Sequence, residues 1–247
     1  VWTRHTMASG LPHERVTALA ETRGVNGERL IWAGTYGGGL ARWDGRSWRV
    51  TGKAQGLPND RIWKLLVRPG TAGDELWVGS EGGGLARVNA EGRVVGTYPG
   101  LPSVSVNGIV EGVDERGGIE VWVSTFGAGL GRWAQGHWTL WGVPEGMPSR
   151  FATDLAETRS AQGRRVLWVA TVSGLVRLEA GRFQVFNVRW GLPIDTVYRL
   201  RPDPYRADAI WIGTAGAGVL HHQEGDWKIH DAPSGLPGNV VLSLARG

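Results

Sequence analysis

The stretch GLPNDRIWKLLVRPGTAGDELWVGSEGGGLARVN, from Gly56 to Asn89, decides the fold. It opens on a Gly-Leu-Pro turn and carries Leu-Trp-Val-Gly-Ser at 76–80, apolar at successive positions as in a strand covered on both faces. It closes through a Gly-rich turn into another short apolar segment, with no helical stripe anywhere along it. Every element is short and bounded by Gly, Asn, Asp or Pro, which punctuate strands.

Moving outward, the same unit recurs from end to end. Gly-Leu/Met-Pro begins at Gly10, Gly56, Gly100, Gly146, Gly191 and Gly235, a period of 44 to 46 residues. A second column runs through Trp32, Trp77, Trp122, Trp168 and Trp211. A third marks the Gly-rich turns ending at Leu40, Leu85, Leu130, Leu175 and Val219, and a looser fourth follows in Trp48, Val94, Trp138, Phe183 and Trp227. In the first copy these columns predict strands at 16–21, around Trp32, at 40–43 and from Trp48. Four short strands per unit of about 45 residues, stacking through Trp and aliphatic side chains, predict an all-β fold of β-propeller blades.

The expected boundaries place complete blades at 10–55, 56–99, 100–145, 146–190 and 191–234. Residues 1–9 read as the last strand of a preceding blade and 235–247 as the first strand of a further one. Outermost and innermost strands are not neighbours, so these two ends cannot complete a blade together. The expectation is a single propeller segment belonging to a larger, about seven-bladed array.

Composition fits this reading and excludes others. The 247 residues are 41% apolar and 20% charged, with 40 Gly and 14 Trp, which is globular usage apart from the periodic Gly and Trp. Absence of Cys excludes a disulfide scaffold, a thiolate zinc site and a cysteine nucleophile. No apolar run approaches the roughly 20 residues that cross a bilayer, and the opening VWTRHTMASG lacks an apolar signal core. The net charge of +4 comes from scattered Arg, so no nucleic-acid partner is expected.

The unit Gly56–Asn89 resembles the two-component regulator propeller repeat, through its Gly-Leu-Pro opening, its Leu-Trp-Ile/Val-Gly-Thr strand and its Gly-Gly-Leu turn before an Arg-aromatic pair such as Arg42 and Trp43. The resemblance spans the chain. Copy four shortens the turn to TVSGLVRL, and copy five replaces the Arg-aromatic pair with His221 and His222. WD40 and kelch repeats fit less well: Trp43-Asp44 is the sole Trp-Asp pair, and kelch units have a longer period and no recurring Gly-Leu-Pro. The resemblance implies a non-catalytic sensor propeller of a membrane-bound bacterial signalling protein, exported to the periplasm. Its histidine kinase or diguanylate cyclase output would lie outside this chain. It further implies contacts with the remaining blades and output domains, a membrane link only through the parent protein, and a homodimeric assembly. A protein-interaction scaffold and a polysaccharide-acting lyase or hydrolase are the alternative functions on the same fold.

In an array, residues present in every copy serve the blade, and candidate contacts lie where copies differ. By this criterion Arg42, Arg87, Arg132 and Arg177 are structural. After the second strand, successive copies place Tyr36, Glu81, Phe126, Val172 and Ala215. Tyr36, Glu81 and Phe126 either cover Gly-rich backbone or form a rim for a small-molecule or oligosaccharide ligand. Six residues after each Pro stand Ala18, Lys64, Gly108, Asp154, Arg199 and Ser243. Lys64, Asp154 and Arg199 would line a solvated channel, as ligand contacts or as plain lining. His13, Glu14, Asp60, Arg150 and Asp195, just after Pro, read as turn and solvent residues. His221 and His222, adjacent on a strand, point to opposite faces and cannot chelate one ion. No catalytic residue, metal or cofactor is expected.

Overall fold

A computed structural model describes residues 2–102, 105–223 and 225–245. Among them lie twenty strands in five four-stranded antiparallel sheets, each joined in simple up-and-down order, so the chain is a run of β-propeller blades. Blade 1 comprises β1 (Val16–Arg23), β2 (Arg29–Thr35), β3 (Leu40–Trp43) and β4 (Trp48–Thr51). Blade 2 comprises β5 (Ile62–Arg68), β6 (Glu75–Ser80), β7 (Gly84–Val88) and β8 (Val94–Tyr98). Blade 3 has β9 (Ser105–Val113), β10 (Ile119–Phe126), β11 (Gly129–Ala134) and β12 (His137–Trp141). Blade 4 has β13 (Ala152–Arg159), β14 (Arg165–Thr171), β15 (Gly174–Glu179) and β16 (Arg182–Phe186). Blade 5 has β17 (Val197–Pro202), β18 (Ile210–Thr214), β19 (Val219–Gln223) and β20 (Asp226–His230). The chain divides into two compact units, Val1–Ile109 and Val110–Gly247, with the division inside β9.

Each repeated motif has a physical job. The Gly of Gly-Leu-Pro sits at positive φ in all six copies, 97° at Gly10 and Gly191 and 109° at Gly235, where a Cβ would be strained. Three of these glycines end a one-turn 3-10 helix, at Met7–Ser9, Lys53–Gln55 and Val188–Trp190. The Asp60 carboxylate accepts the Lys53 N–H at 2.7 Å, and Asp195 accepts that of Val188 at 2.7 Å, so both are turn residues. The hydroxyl that ends the second strand pins the following Gly turn. Thr35 donates to the Gly39 carbonyl and accepts the Gly38 N–H, and Thr214 repeats the pattern with Gly218 and Ala217.

The core lies between blades. In the first unit, Trp32, Leu30 and Leu40 of blade 1 pack against Ile62, Leu65 and Leu76 of blade 2. In the second, Trp122 and Leu130 of blade 3 meet Ala152, Leu155 and Leu167, and Trp168 and Leu175 of blade 4 meet Val197, Leu200 and Ile210. In blades 1, 2 and 5 a Gly stands next to last in the Trp strand and allows close approach: a Cβ on Gly34 would stand 2.7 Å from Ile62 Cγ2, and one on Gly79 2.8 Å from Val106 Cγ1. The recurrent Arg lies over the Trp, with Arg42, Arg132 and Arg177 at 5.7 to 5.9 Å from the rings of Trp32, Trp122 and Trp168. Such cation–π contacts and covered indoles account for both columns.

The two ends differ from their expected strands. Residues 2–6 and 236–245 form no strand, while Val1, Arg246 and Gly247 lie outside the described residues. A strand needs a ladder partner, and the described chain supplies none there. Residues 239–241 nonetheless sit as the start of a first strand does: Asn239 accepts the Gly218 N–H, and Val241 lies against Gly213 as Ile62 lies against Gly34.

Candidate functional site

The site is built on the turns where one blade is stitched to the next. Tyr36 follows β2; its N–H bonds the Arg15 carbonyl of its own blade, and it forms an isolated bridge with Arg61 of blade 2. Glu81, the same position one blade on, bonds the Arg61 carbonyl at 2.9 Å. Between Ile62 and Lys64 the β5–β6 register slips by one residue, which leaves Trp63 out of the ladder. The indole N–H of Trp63 donates to Glu81 Oε2 at 3.1 Å, and Arg61 Nη1 pairs with Glu81 Oε1 at 3.1 Å.

Tyr36 is the centre of this group. Arg15 stands over its ring at 4.4 Å, Arg61 at 5.1 Å, and the Trp63 ring meets it edge-on at 5.7 Å. His13 approaches from a further side at 6.5 Å. The Glu81 carboxylate is thus engaged by two donors, Arg15 and Arg61 are exposed, and Tyr36 and Trp63 are half-buried. The arrangement offers stacking faces beside guanidinium donors, the equipment for recognising a ring that bears hydrogen-bond acceptors.

The other expected contacts fall elsewhere. Phe126, at the end of β10 in the second unit, is 47% exposed, and its ring lies 4.7 Å from that of Phe151, which carries Arg150 at 4.9 Å. Lys64 is half-buried on β5 opposite Gly79. Arg199 is exposed and donates to the Tyr198 and Thr153 carbonyls. Asp154 departs from the expected solvated lining. It is 3% exposed and its Oδ2 accepts the Leu200 N–H of the next blade at 3.0 Å. A backbone donor beside the β17 bulge gives the buried carboxylate the hydrogen bond it requires.

Sequence reasoning missed Arg15, Arg61 and Trp63. The column Thr17, Trp63, Asn107, Thr153 and Tyr198, a bulge in blades 1, 2, 4 and 5, varies as sharply as its neighbour at Lys64 and would have found Trp63. His221 and His222 do point to opposite faces. His221 Nε2 meets Asp203 Oδ2 at 3.1 Å and its ring lies 4.1 Å from Trp211, whereas His222 faces Trp168, Phe186 and Trp227. Among the described residues no three His, Asp or Glu side chains are placed to share a metal ion.

No family model and no curated protein matches the chain. Among solved structures it is similar to the extracellular domain of a hybrid two-component system from B. thetaiotaomicron, with 18% identity, a TM-score of 0.53, and coverage of 94% of this chain and 36% of that one. It is also similar to the RRP9 WD40 repeats, with 13% identity, a TM-score of 0.62, and coverage of 88% and 64%. A third likeness, to BBS1N in complex with ARL6DN, has 12% identity, a TM-score of 0.57, and coverage of 87% and 65%. The chain therefore spans less than two thirds of the length of each of these structures, and at such identities the likeness concerns the propeller fold alone.

Proposed function

We propose that this chain is a non-catalytic, ligand-recognising propeller segment of a periplasmic sensor in a bacterial signalling protein of the two-component regulator propeller type. Support comes from the repeat, from Gly-Leu-Pro through the Arg-aromatic pair, and from the fold likeness to the extracellular domain of a hybrid two-component system. The observation that carries the reading is the Tyr36, Arg61, Trp63 and Glu81 group, assembled from positions where the copies differ and held on inter-blade stitches. A small-molecule or oligosaccharide ring would stack on Tyr36 and take hydrogen bonds from Arg15. Phe126 with Phe151 is proposed as a second contact, and Lys64 and Arg199 as outlying cations. Asp154 contributes by holding the strand that carries Arg199. Ligand binding would signal through different affinities for two arrangements of the segment and its output domains, in a parent protein that acts as a homodimer.

The test is isothermal titration of an oligosaccharide library against the wild-type chain and a Tyr36→Ala, Glu81→Gln, Phe126→Ala variant. A hit should lose at least about tenfold in affinity in the variant, the cost of one or two lost contacts. Unchanged affinity for every hit removes the site. The likeness to WD40 repeats favours a second reading, a protein-interaction scaffold. That reading gains if no small ligand binds while a partner protein is captured through Arg15 and Arg61.

A further inference from the structure

In the second unit, a cleft of about 310 Å³ opens between blades 4 and 5. Its walls are aromatic: Trp168 and Phe186 stack at 6.1 Å, and His222 meets Trp168 edge-on at 5.1 Å. His222 is 7% exposed, and its Nδ1 is buried without a hydrogen-bond partner among the described residues. Asp208, also in the lining, buries Oδ2 without a partner. Buried polar atoms of this kind are rare in a finished core and mark a place where a further donor belongs.

The charges of the lining decide what that donor is. Arg159 pairs with Glu157 at 3.4 Å and Arg177 with Glu179 at 2.6 Å, carboxylates that also pair with Arg165 and Arg164, so both lining cations already have a partner. Asp208 is the one carboxylate among the described lining residues, and its Oδ2 has no hydrogen-bond partner there. Burial, reinforced by the charges of Arg177 and His221, pushes the His222 imidazole down to about 4, so at neutral pH it adds no positive charge and keeps an acceptor nitrogen. A half-buried carboxylate with one buried, unpaired oxygen, a neutral imidazole and aromatic faces are together complementary to a cation with an apolar body.

We propose that this cleft binds a small organic ammonium ion, whose N–H groups bond Asp208 and His222 and whose carbon body lies against Trp168 and Phe186. The site shares no residue with the Tyr36 group and stands independently of the sensor reading. It also explains why copy five departs from the repeat: in blade 2 the equivalent of His222 is Val88, fully buried in an apolar junction.

Three probes of nearly equal shape isolate the charge: 2-phenylethylammonium, 2-phenylethanol and 3-phenylpropionate, titrated calorimetrically against the chain at pH 7.5. The ammonium should bind at least about tenfold more tightly than the alcohol, with no binding of the carboxylate. Asp208→Asn, which keeps the shape, should abolish the preference, and His222→Phe should weaken the ammonium alone by about threefold or more. Equal binding of alcohol and ammonium, preferred binding of the carboxylate, or no heat from any probe at 20 mM overturns the proposal (a concentration on the order of a weak fragment's Kd). The wild-type comparison decides the matter even if a variant fails to fold.

Discussion

Between blades 1 and 2, Arg42 lies 5.9 Å from the Trp32 ring and donates to the Ala90 carbonyl across the junction. Between blades 4 and 5, Arg177 keeps the same 5.9 Å over Trp168 but turns to Glu179 of its own strand. The indole hydrogen bonds are alike, Trp32 to Thr22 at 2.7 Å and Trp168 to Thr158 at 2.8 Å. The difference lies opposite the indole, where Val88 seals one junction and His222 lines the cleft of the other. Repeated residues thus set how blades meet, and the exceptional residue at this column changes what faces the indole.

The common part should dominate stability. Trp32→Ala and Trp168→Ala should each cost about 3 to 5 kcal/mol in urea unfolding, the range for removing a fully buried aromatic. A much smaller cost at Trp168 would mean that the open junction rests on other contacts, and would break the equivalence.

The junction between blades 3 and 4 sharpens the comparison, because there the Thr is missing. Gly112 occupies the position of Thr22 and Thr158, and the Arg165 guanidinium of the next blade fills the space at 2.8 Å from where a Cβ would be. Arg165 and Arg132 both pair with Glu120, whose side chain is 6% exposed, and Arg165 also bonds Glu157 at 2.7 Å. Burial disfavours the Glu120 charge, but Arg132 and Arg165 bonded to it outweigh that and hold its carboxyl below the usual range. Glu120→Ala should therefore cost about 3 kcal/mol, since it strands the partly buried Arg132 and leaves Arg165 to Glu157 alone. Wild-type stability from this pair should be complete above the ordinary Glu range and fall as pH drops through the lowered value. An acid limb unchanged in the variant would count against this account.

This third junction also shows how much was legible in the sequence. The blades, their count and the inter-blade Trp were readable because each rests on a property repeated at a fixed period: a turn needing positive φ at Gly56, an indole needing cover at Trp77. The Arg165 network was not, because it depends on an absent side chain at Gly112 being answered 53 residues later, and no periodic pattern encodes a compensation. Of the candidate site, Tyr36 and Glu81 were found as varying positions, and the structure joins them through Arg61 and Trp63. Asp154 was misplaced for a physical reason: a charge on a first strand was expected to need water, and a free backbone N–H of the neighbouring blade served instead.

The open junction has its own pH signature. Around His222 stand Arg177 on β15, His221 on its own strand, Asp208 on the loop before β18 and Asp226 on β20; burial, Arg177 and His221 outweigh the two carboxylates. The folded imidazole resists a proton down to about 4, while the unfolded one accepts it near 6.5. The unfolded state then binds more protons across that window, so stability should decline as pH falls from 6.5 toward 4. His222→Phe, which keeps an aromatic against Trp168, should flatten the decline; an equal slope in the variant assigns it to other groups.

The smallest expected effect concerns the stitches themselves. Thr17 and Thr153 occupy the bulge of blades 1 and 4, and each hydroxyl crosses to the next blade, to the Ile62 and Val197 carbonyls at 2.5 and 2.6 Å. In blades 2 and 5 the bulge carries Trp63 and Tyr198, which have no such short hydroxyl to spend on the backbone. Thr17→Val and Thr153→Val should each lose about 1 kcal/mol, the net worth of one hydrogen bond. Trp63→Phe should cost less stability than that, while removing the donor to Glu81 that shapes the Tyr36 group. If Trp63→Phe instead destabilises the chain as much as the Thr variants do, the bulge column is a structural series throughout. The candidate site then has to rest on Tyr36 and the two Arg alone.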